Sequence, residues 1–252
     1  MKKIIRFIWA IYFFLWFLAI FILFYPLFLF FLSDKKHYPK AHKLRAIWGR
    51  IIMFFSGLIP KTQFEEPLNR NGQYIFVANH FSYLDILSLN VQCGQYFRFL
   101  AKAELGKFPL FGLFFRTIDI SVNRKSVKDS VTSFNLCNDA LKSGDSLGIF
   151  PEGGIHPTAP KLSAFKSGAF RLAIENKVAI VPVTIIDNWK RLPGGGLDNG
   201  GTPGLMRMVV HKPIETASLS EADLYKLIEQ TRNIIKNTFD KFNFETENGN
   251  NR

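Results

Sequence analysis

The pattern of apolar and polar positions divides the chain into stretches with different rhythms. Residues 7–33 are 27 consecutive positions without a formal charge, almost all of them apolar. That run exceeds the ~20 residues needed to cross a hydrocarbon core as a helix, and it is too long and too aromatic for a cleaved signal. It reads as a retained membrane element. Pro26 interrupts it two-thirds of the way along. Three geometries stay open: a continuous spanning helix, a helix that kinks into a second short helix dipping into one leaflet, and a helix buried in a soluble core.

Residues 41–56 set Lys43, Arg45 and Arg50 against Leu44, Ile47, Trp48, Ile51, Ile52, Phe54 and Phe55 at helical spacing. A basic side and an aromatic side suit a helix lying in a membrane interface. The same pattern suits a helix packed on a soluble core.

From residue 73 the rhythm shortens. Apolar runs rich in β-branched and aromatic residues at 74–77, 96–100, 117–122, 147–150, 178–186 and 206–210 predict strands. Residues near 84–92, 105–115, 127–142 and 166–176 predict helices between them. The alternation predicts an α/β fold, a mixed and mostly buried sheet flanked by helices, preceded by an N-terminal hydrophobic helix or helical hairpin at the membrane. Six glycines and two prolines in residues 193–204 predict a loop. Ser218 and Glu221 fit a capping box that opens a last helix, with Leu224, Leu227, Ile228, Ile235, Phe239 and Phe242 on one face. The expected organisation is a membrane element with a basic interfacial helix over 1–60, an α/β domain over 61–245 and a polar tail over 246–252.

Charge sharpens the first of these. The net charge is +12, yet residues 1–50 hold nine basic side chains and one acidic one. Lys2, Lys3 and Arg6 precede the apolar run, and six more basic residues between Lys35 and Arg50 follow it. Such flanks are drawn to anionic head groups, and the heavier downstream flank places the main domain at the cytoplasmic face. A basic stripe with interleaved aromatics is absent from the rest of the chain, so nucleic acid is not an expected partner. Cys93 and Cys137 do not have metal-ligand spacing or the look of a disulfide framework.

Candidate chemistry lies between a predicted strand and a predicted helix. His80 sits in that turn, and a neutral imidazole is well suited to take a proton near pH 7. Asp85, five residues on, can hold one ring nitrogen if it lies in the first helical turn and His80 stays outside the helix. The plainer alternative makes His80 a helix-entry residue and Asp85 a favourable first-turn anion, with Asn79 available as a cap. A GxSxG nucleophile elbow is missing, which weighs against a covalent serine mechanism. After the strand at 147–150, Glu152, Gly153 and Gly154 form a turn whose glycines let backbone approach a ligand closely. Glu152 would either bond acceptor hydroxyls or anchor the turn. His37, His42, His156 and His211 lack ligand spacing and read as surface or loop residues.

Taken in order, these blocks resemble the glycerolipid acyltransferase family, of the 1-acyl-sn-glycerol-3-phosphate acyltransferase (lysophosphatidic acid acyltransferase) type. Asn79-His80 with Asp85 resembles its first motif and Phe150-Pro151-Glu152-Gly153 its third. Ala101 to Leu105, Pro109 to Gly112 and Val122-Asn123-Arg124 resemble the second, and Val181-Pro182-Val183 the fourth. The resemblance implies direct acyl transfer with His80 as general base and Asp85 as its orienting partner. The co-substrate it implies is acyl-CoA or acyl-acyl-carrier protein, with no metal or prosthetic group. It implies a lysophospholipid acceptor drawn from the membrane lipids, 1-acylglycerol 3-phosphate giving phosphatidate. Lys102, Arg124, Glu152, Gly153, Gly154 and Lys166 are the implied substrate-binding residues. The backbone amides near Gly153 and Gly154 are candidates for the oxyanion.

Two positions depart from the family pattern. Gly154 and Ile155 stand where a Thr or Ser and then an Arg are usual, which removes a head-group cation that Lys161, Lys166 or Arg171 would have to replace. Asn123 stands where an Asp commonly precedes the arginine. Both leave room for another acceptor, such as a lyso-ornithine lipid. A non-catalytic lipid-binding adaptor and a hydrolase are further readings, which the intact His80 and Asp85 and the lack of an evident nucleophile respectively oppose.

Overall fold

The computed structural model describes residues 1–122 and 127–249. In chain order the helices are α1 (Lys2–Leu32), α2 (Tyr38–Phe55), α3 (Leu84–Gln92), α4 (Gly112–Arg116), α5 (Val127–Lys142), α6 (Gly168–Asn176), α7 (Asn188–Arg191) and α8 (Leu224–Gly249). The strands are β1 (Leu58–Phe64), β2 (Tyr74–Ala78), β3 (Arg98–Lys102), β4 (Ile120–Val122), β5 (Leu147–Ile149), β6 (Ala179–Ile185) and β7 (Gly204–Val210). They form one mixed seven-stranded sheet in the order β1-β7-β6-β2-β5-β3-β4. β6 and β7 pair antiparallel, and every other neighbouring pair is parallel.

β2 and β6 are buried at every position, as parallel strands covered on both faces must be. Period-two alternation still divides their side chains. Ile75, Val77 and Ile180 join Leu147, Phe170 and Leu227 under α5, α6 and α8, while Phe76, Val181 and Val183 meet Phe97, Phe99 and Leu89 on the other face. Pro182 has no amide to give to a ladder. It precedes the first β6–β7 pair, Val183 with Val210, and accepts the His211 amide at 3.0 Å.

Three local expectations change. β1, which pairs with β7 in parallel from Leu58 with Gly204 to Phe64 with Val210, is an additional strand; as an edge it is mostly exposed, so it lacks an apolar signature. The predicted helix at 105–115 is instead a 3-10 turn at Ala103–Lys107 and the short α4. Pro109 forces Phe108 into an extended conformation with ψ 130, and Leu110 takes φ 60, which breaks the helix between them. The capping box belongs to Ser220 and Asp223, where the Ser220 amide donates to the Asp223 carboxylate at 2.9 Å.

α1 runs unbroken through Pro26. It lies along the domain rather than standing away from it. The Gly201 amide donates to the Arg6 carbonyl at 2.9 Å, the Trp9 indole to the Ser56 carbonyl at 3.1 Å and the Tyr12 hydroxyl to the Phe55 carbonyl at 2.9 Å. Farther along, Phe21 meets Phe111 with ring centroids 4.6 Å apart, and Phe28 meets Phe114 at 4.9 Å. Ala10, Phe13, Phe21 and Phe28 are thereby buried with Trp48 and Ile52 of α2, while Leu15, Leu23 and Phe30 stay exposed at 62, 74 and 62%.

Arg45 leaves the basic surface that the sequence assigned to α2. It is buried, and its Nη1 donates to both carboxylate oxygens of Asp119 at 3.1 and 2.9 Å, with the guanidinium over the Phe99 and Phe114 rings. A charge can lie in such a core only with its partner.

Candidate active site

Four adjacent strands, β6, β2, β5 and β3, run parallel, so their carboxyl ends share one edge of the sheet. Ligand sites in open α/β sheets form at that edge. The chain emerging from β2 carries His80, that from β5 carries Glu152 to Gly154, β3 ends on Lys102, and α7 follows β6. Residues separated by a hundred positions meet there because the strands do.

His80 and Asp85 are joined, Nδ1 to Oδ2 at 3.0 Å. Asp85 lies in the first turn of α3 and is wholly buried. Its Oδ2 also accepts the amides of Phe81 at 2.7 Å and Ser82 at 2.8 Å, and Oδ1 accepts Asn188 Nδ2 at 2.9 Å. The carboxylate accepts only, so Nδ1 carries the ring hydrogen and Nε2 keeps a lone pair for the cleft that His80 lines. Phe150 stacks on the imidazole with centroids 4.1 Å apart and fixes its plane.

Asn79 is not the cap. Its side chain bonds both backbone groups of Ile185, at 2.9 and 2.8 Å, and so extends the β2–β6 pairing by one residue as the chain leaves the sheet. The N-cap position is Tyr83, which makes no side-chain cap, and one residue earlier Ser82 Oγ accepts the Leu84 amide at 3.0 Å.

Glu152 anchors the turn. Oε1 accepts the His80 amide and Oε2 the Ser163 amide, both at 2.9 Å. Burial pushes its carboxyl above the ordinary range, against the pull of these two donors. Gly153 has φ 87, a left-handed conformation that favours glycine, and its amide is spent on the Phe150 carbonyl at 3.1 Å.

The cleft beside these groups has a volume of about 610 Å³. Lys102, Gly153, Gly154 and Ile155 line it. The Lys102 side chain is two-thirds exposed and 3.9 Å from Glu104. Lys166 lines a neighbouring cavity of about 380 Å³, which shares Phe150 and Gly153 with the cleft. Arg171 is paired with Glu221 at 3.2 Å on the surface. Arg124 lies outside the described residues.

Sequence reasoning missed Asn188 and the cleft residues His156 and Trp189. The available signal for Asn188 was the Asp187-Asn188 pair that ends a nearly all-apolar run at 178–186. Two other histidines are buried rather than on the surface. His211 is held through Nδ1 by Glu65 and through Nε2 by Thr184, each at 2.8 Å. His42 sits against Arg45 and Asn90, and burial, with that guanidinium beside it, lowers its pKa to about 3.

The Acyltransferase family model matches residues 60–186, half of the chain. A chloroplastic 1-acyl-sn-glycerol-3-phosphate acyltransferase of Arabidopsis thaliana is 30% identical over 202 residues, covering 79% of this chain and 54% of that protein. A 1-acyl-sn-glycerol-3-phosphate acyltransferase of Saccharomyces cerevisiae is 28% identical over 218 residues, with 84 and 70% covered. The chain spans about half the length of the plant relatives it matches. In fold it resembles the crystal structure of the 1-acyl-sn-glycerophosphate acyltransferase of Thermotoga maritima, with a TM-score of 0.80, 23% identity and 96 and 98% of the two chains covered. By the extent of the family match, the chain belongs to the acyltransferase family.

Proposed function

We propose that the protein transfers an acyl chain from acyl-CoA or acyl-acyl-carrier protein to the free hydroxyl of a membrane lysophospholipid, 1-acylglycerol 3-phosphate, forming phosphatidate. The observation that carries this reading is the His80–Asp85 pair, with Nδ1 engaged and Nε2 left for the cleft. The named relatives support the acceptor. His80 Nε2 takes the hydroxyl proton as that oxygen attacks the thioester carbonyl carbon. The tetrahedral intermediate then collapses, the C–S bond breaks, and the departing thiolate takes the proton back from the imidazolium. Asp85 holds the ring in one tautomer and offsets the charge on it.

α1 supports a site at the membrane surface. It is long and apolar enough to cross a bilayer, but contacts from Arg6 to Phe28 tie it to the domain over ~33 Å of helix. A helix bound along its length to a water-soluble domain fits one leaflet better than a span. The exposed face of α1, with Phe54 of α2 exposed at 79%, would then enter the acyl region while the catalytic domain stays at the cytoplasmic face.

Purified protein, labelled acyl-CoA and acyl-acyl-carrier protein, and a panel of lysolipids test the reading. Turnover of 1-acylglycerol 3-phosphate that is lost in His80→Ala is the expected result, and an active His80→Ala enzyme rejects the mechanism. A second acceptor, such as a lyso-ornithine lipid, belongs in the panel because Gly154 and Ile155 bring no cation to the cleft. Its turnover without that of 1-acylglycerol 3-phosphate rejects the acceptor.

A further inference from the structure

His156 lines the cleft with His80 and Lys102, and the site described above gives it no task. Its Nδ1 receives the Thr158 amide at 3.3 Å and lies 2.8 Å from the Thr158 hydroxyl. An amide hydrogen directed at Nδ1 requires a lone pair there. The neutral ring therefore carries its proton on Nε2, where it is a donor. His80 is oriented the opposite way, with its hydrogen on Nδ1 facing Asp85. One cleft thus holds a histidine set to accept a proton and another set to donate a hydrogen bond.

The segment bearing His156 is fixed relative to His80. Glu152 bonds the His80 amide through one oxygen and the Ser163 amide through the other. The Lys166 amide closes the segment on the Pro151 carbonyl at 2.9 Å, and the Ala159 amide bonds the His156 carbonyl at 2.9 Å. Lys102 brings an exposed ammonium, 3.9 Å from the Glu104 carboxylate, to the same cleft, while Gly154 and Ile155 bring no polar side chain. A phosphomonoester wants several N–H donors, and a lone ammonium supplies charge without direction.

We propose that His156 determines acceptor specificity, with its Nε2–H donating to an anionic phosphate oxygen of the lysolipid head group while Lys102 supplies the charge. The assignment rests on the reading that the acceptor carries a phosphate.

Initial-rate kinetics with 1-acylglycerol 3-phosphate, and binding of glycerol 3-phosphate without donor, test it in the full chain. His156→Ala raises the acceptor KM and the glycerol 3-phosphate Kd about tenfold, the loss of one charge-assisted hydrogen bond, with kcat and the donor KM little changed. His156→Gln and His156→Arg, which keep a donor, recover most of the affinity. An unchanged acceptor KM and Kd in His156→Ala, a fall in kcat alone, or no recovery in either donor-bearing variant overturns the proposal. If the wild type ignores 1-acylglycerol 3-phosphate, the functional reading fails, and the glycerol 3-phosphate Kd of wild type against His156→Ala still decides the role of His156.

Discussion

Asn188 donates from Nδ2 to Oδ1 of Asp85 at 2.9 Å across 103 residues of sequence. It joins the start of α7, which follows β6, to the helix after β2, and it occupies the carboxylate oxygen that His80 does not use. Without it, Oδ1 would be buried with its strongest donor gone. Asn188→Leu is expected to lower kcat about 10- to 100-fold, the kinetic equivalent of a lost hydrogen bond to a charged group, with the acceptor KM nearly unchanged. Steady-state kinetics check this, and an unaltered kcat rejects the role.

Asp85→Asn asks more of the same network. Oδ2 accepts three N–H groups, and an amide has one oxygen for the two positions that Asp85 fills. One nitrogen must face a donor, either Asn188 or the backbone, and the His80 ring loses its charged partner. The expected fall in kcat is on the order of 10³- to 10⁴-fold, by analogy with other histidine–carboxylate pairs. A loss below tenfold would show that Asp85 is not the orienting group.

Arg45 and Asp119 form a buried pair at 2.9 Å. Asp119→Ala leaves the guanidinium uncompensated, and denaturant titration is expected to show a loss of about 3–5 kcal/mol. The double change Arg45→Met with Asp119→Leu should cost clearly less, because both charges leave together.

His42 makes stability depend on pH. Its folded-state pKa lies at about 3 against an ordinary value of 6.5, so between these values the unfolded chain binds a proton that the folded chain refuses. Its contribution is complete above pH 6.5 and is lost as pH falls toward 3, by about 1.4 kcal/mol per pH unit. His211, also lowered by burial, adds in the same direction. Stability curves at pH 7.5 and 5 should therefore converge in His42→Gln relative to the wild type. An equal pH slope in both would contradict this.

The exposed face of α1 predicts how the protein meets a membrane. Leu15→Asp with Leu23→Asp changes two side chains that touch solvent, so the fold should survive while flotation with anionic vesicles falls steeply. Each leucine is worth about 1.5–3 kcal/mol when fully buried. Undiminished flotation of the double variant would place the contact elsewhere.

Most of the sheet was legible because buried parallel strands such as β2 and β6 are nearly continuous apolar runs. The edge strand β1 was not, since one exposed face removes that signature. The helix at 105–115 failed through backbone geometry at Pro109 and Leu110, which periodicity does not register. The four motif blocks were legible as ordered strings. Arg45 was misread because its spacing on α2 is that of a surface cation, and only the position of Asp119 reveals it as a core residue.

By itself the sequence singled out His80 and Asp85 as the candidate pair for the chemistry, and determined that an α/β sheet carries them and that a long apolar segment precedes it. Those features follow from local composition and short-range spacing. Tertiary structure alone decided that α1 lies along the domain, that Glu152 serves the backbone of His80, and that Asn188 completes the support of Asp85. Each of these depends on which strands lie side by side, because parallel neighbours bring their carboxyl ends, and whatever follows them in the chain, to one edge of the sheet.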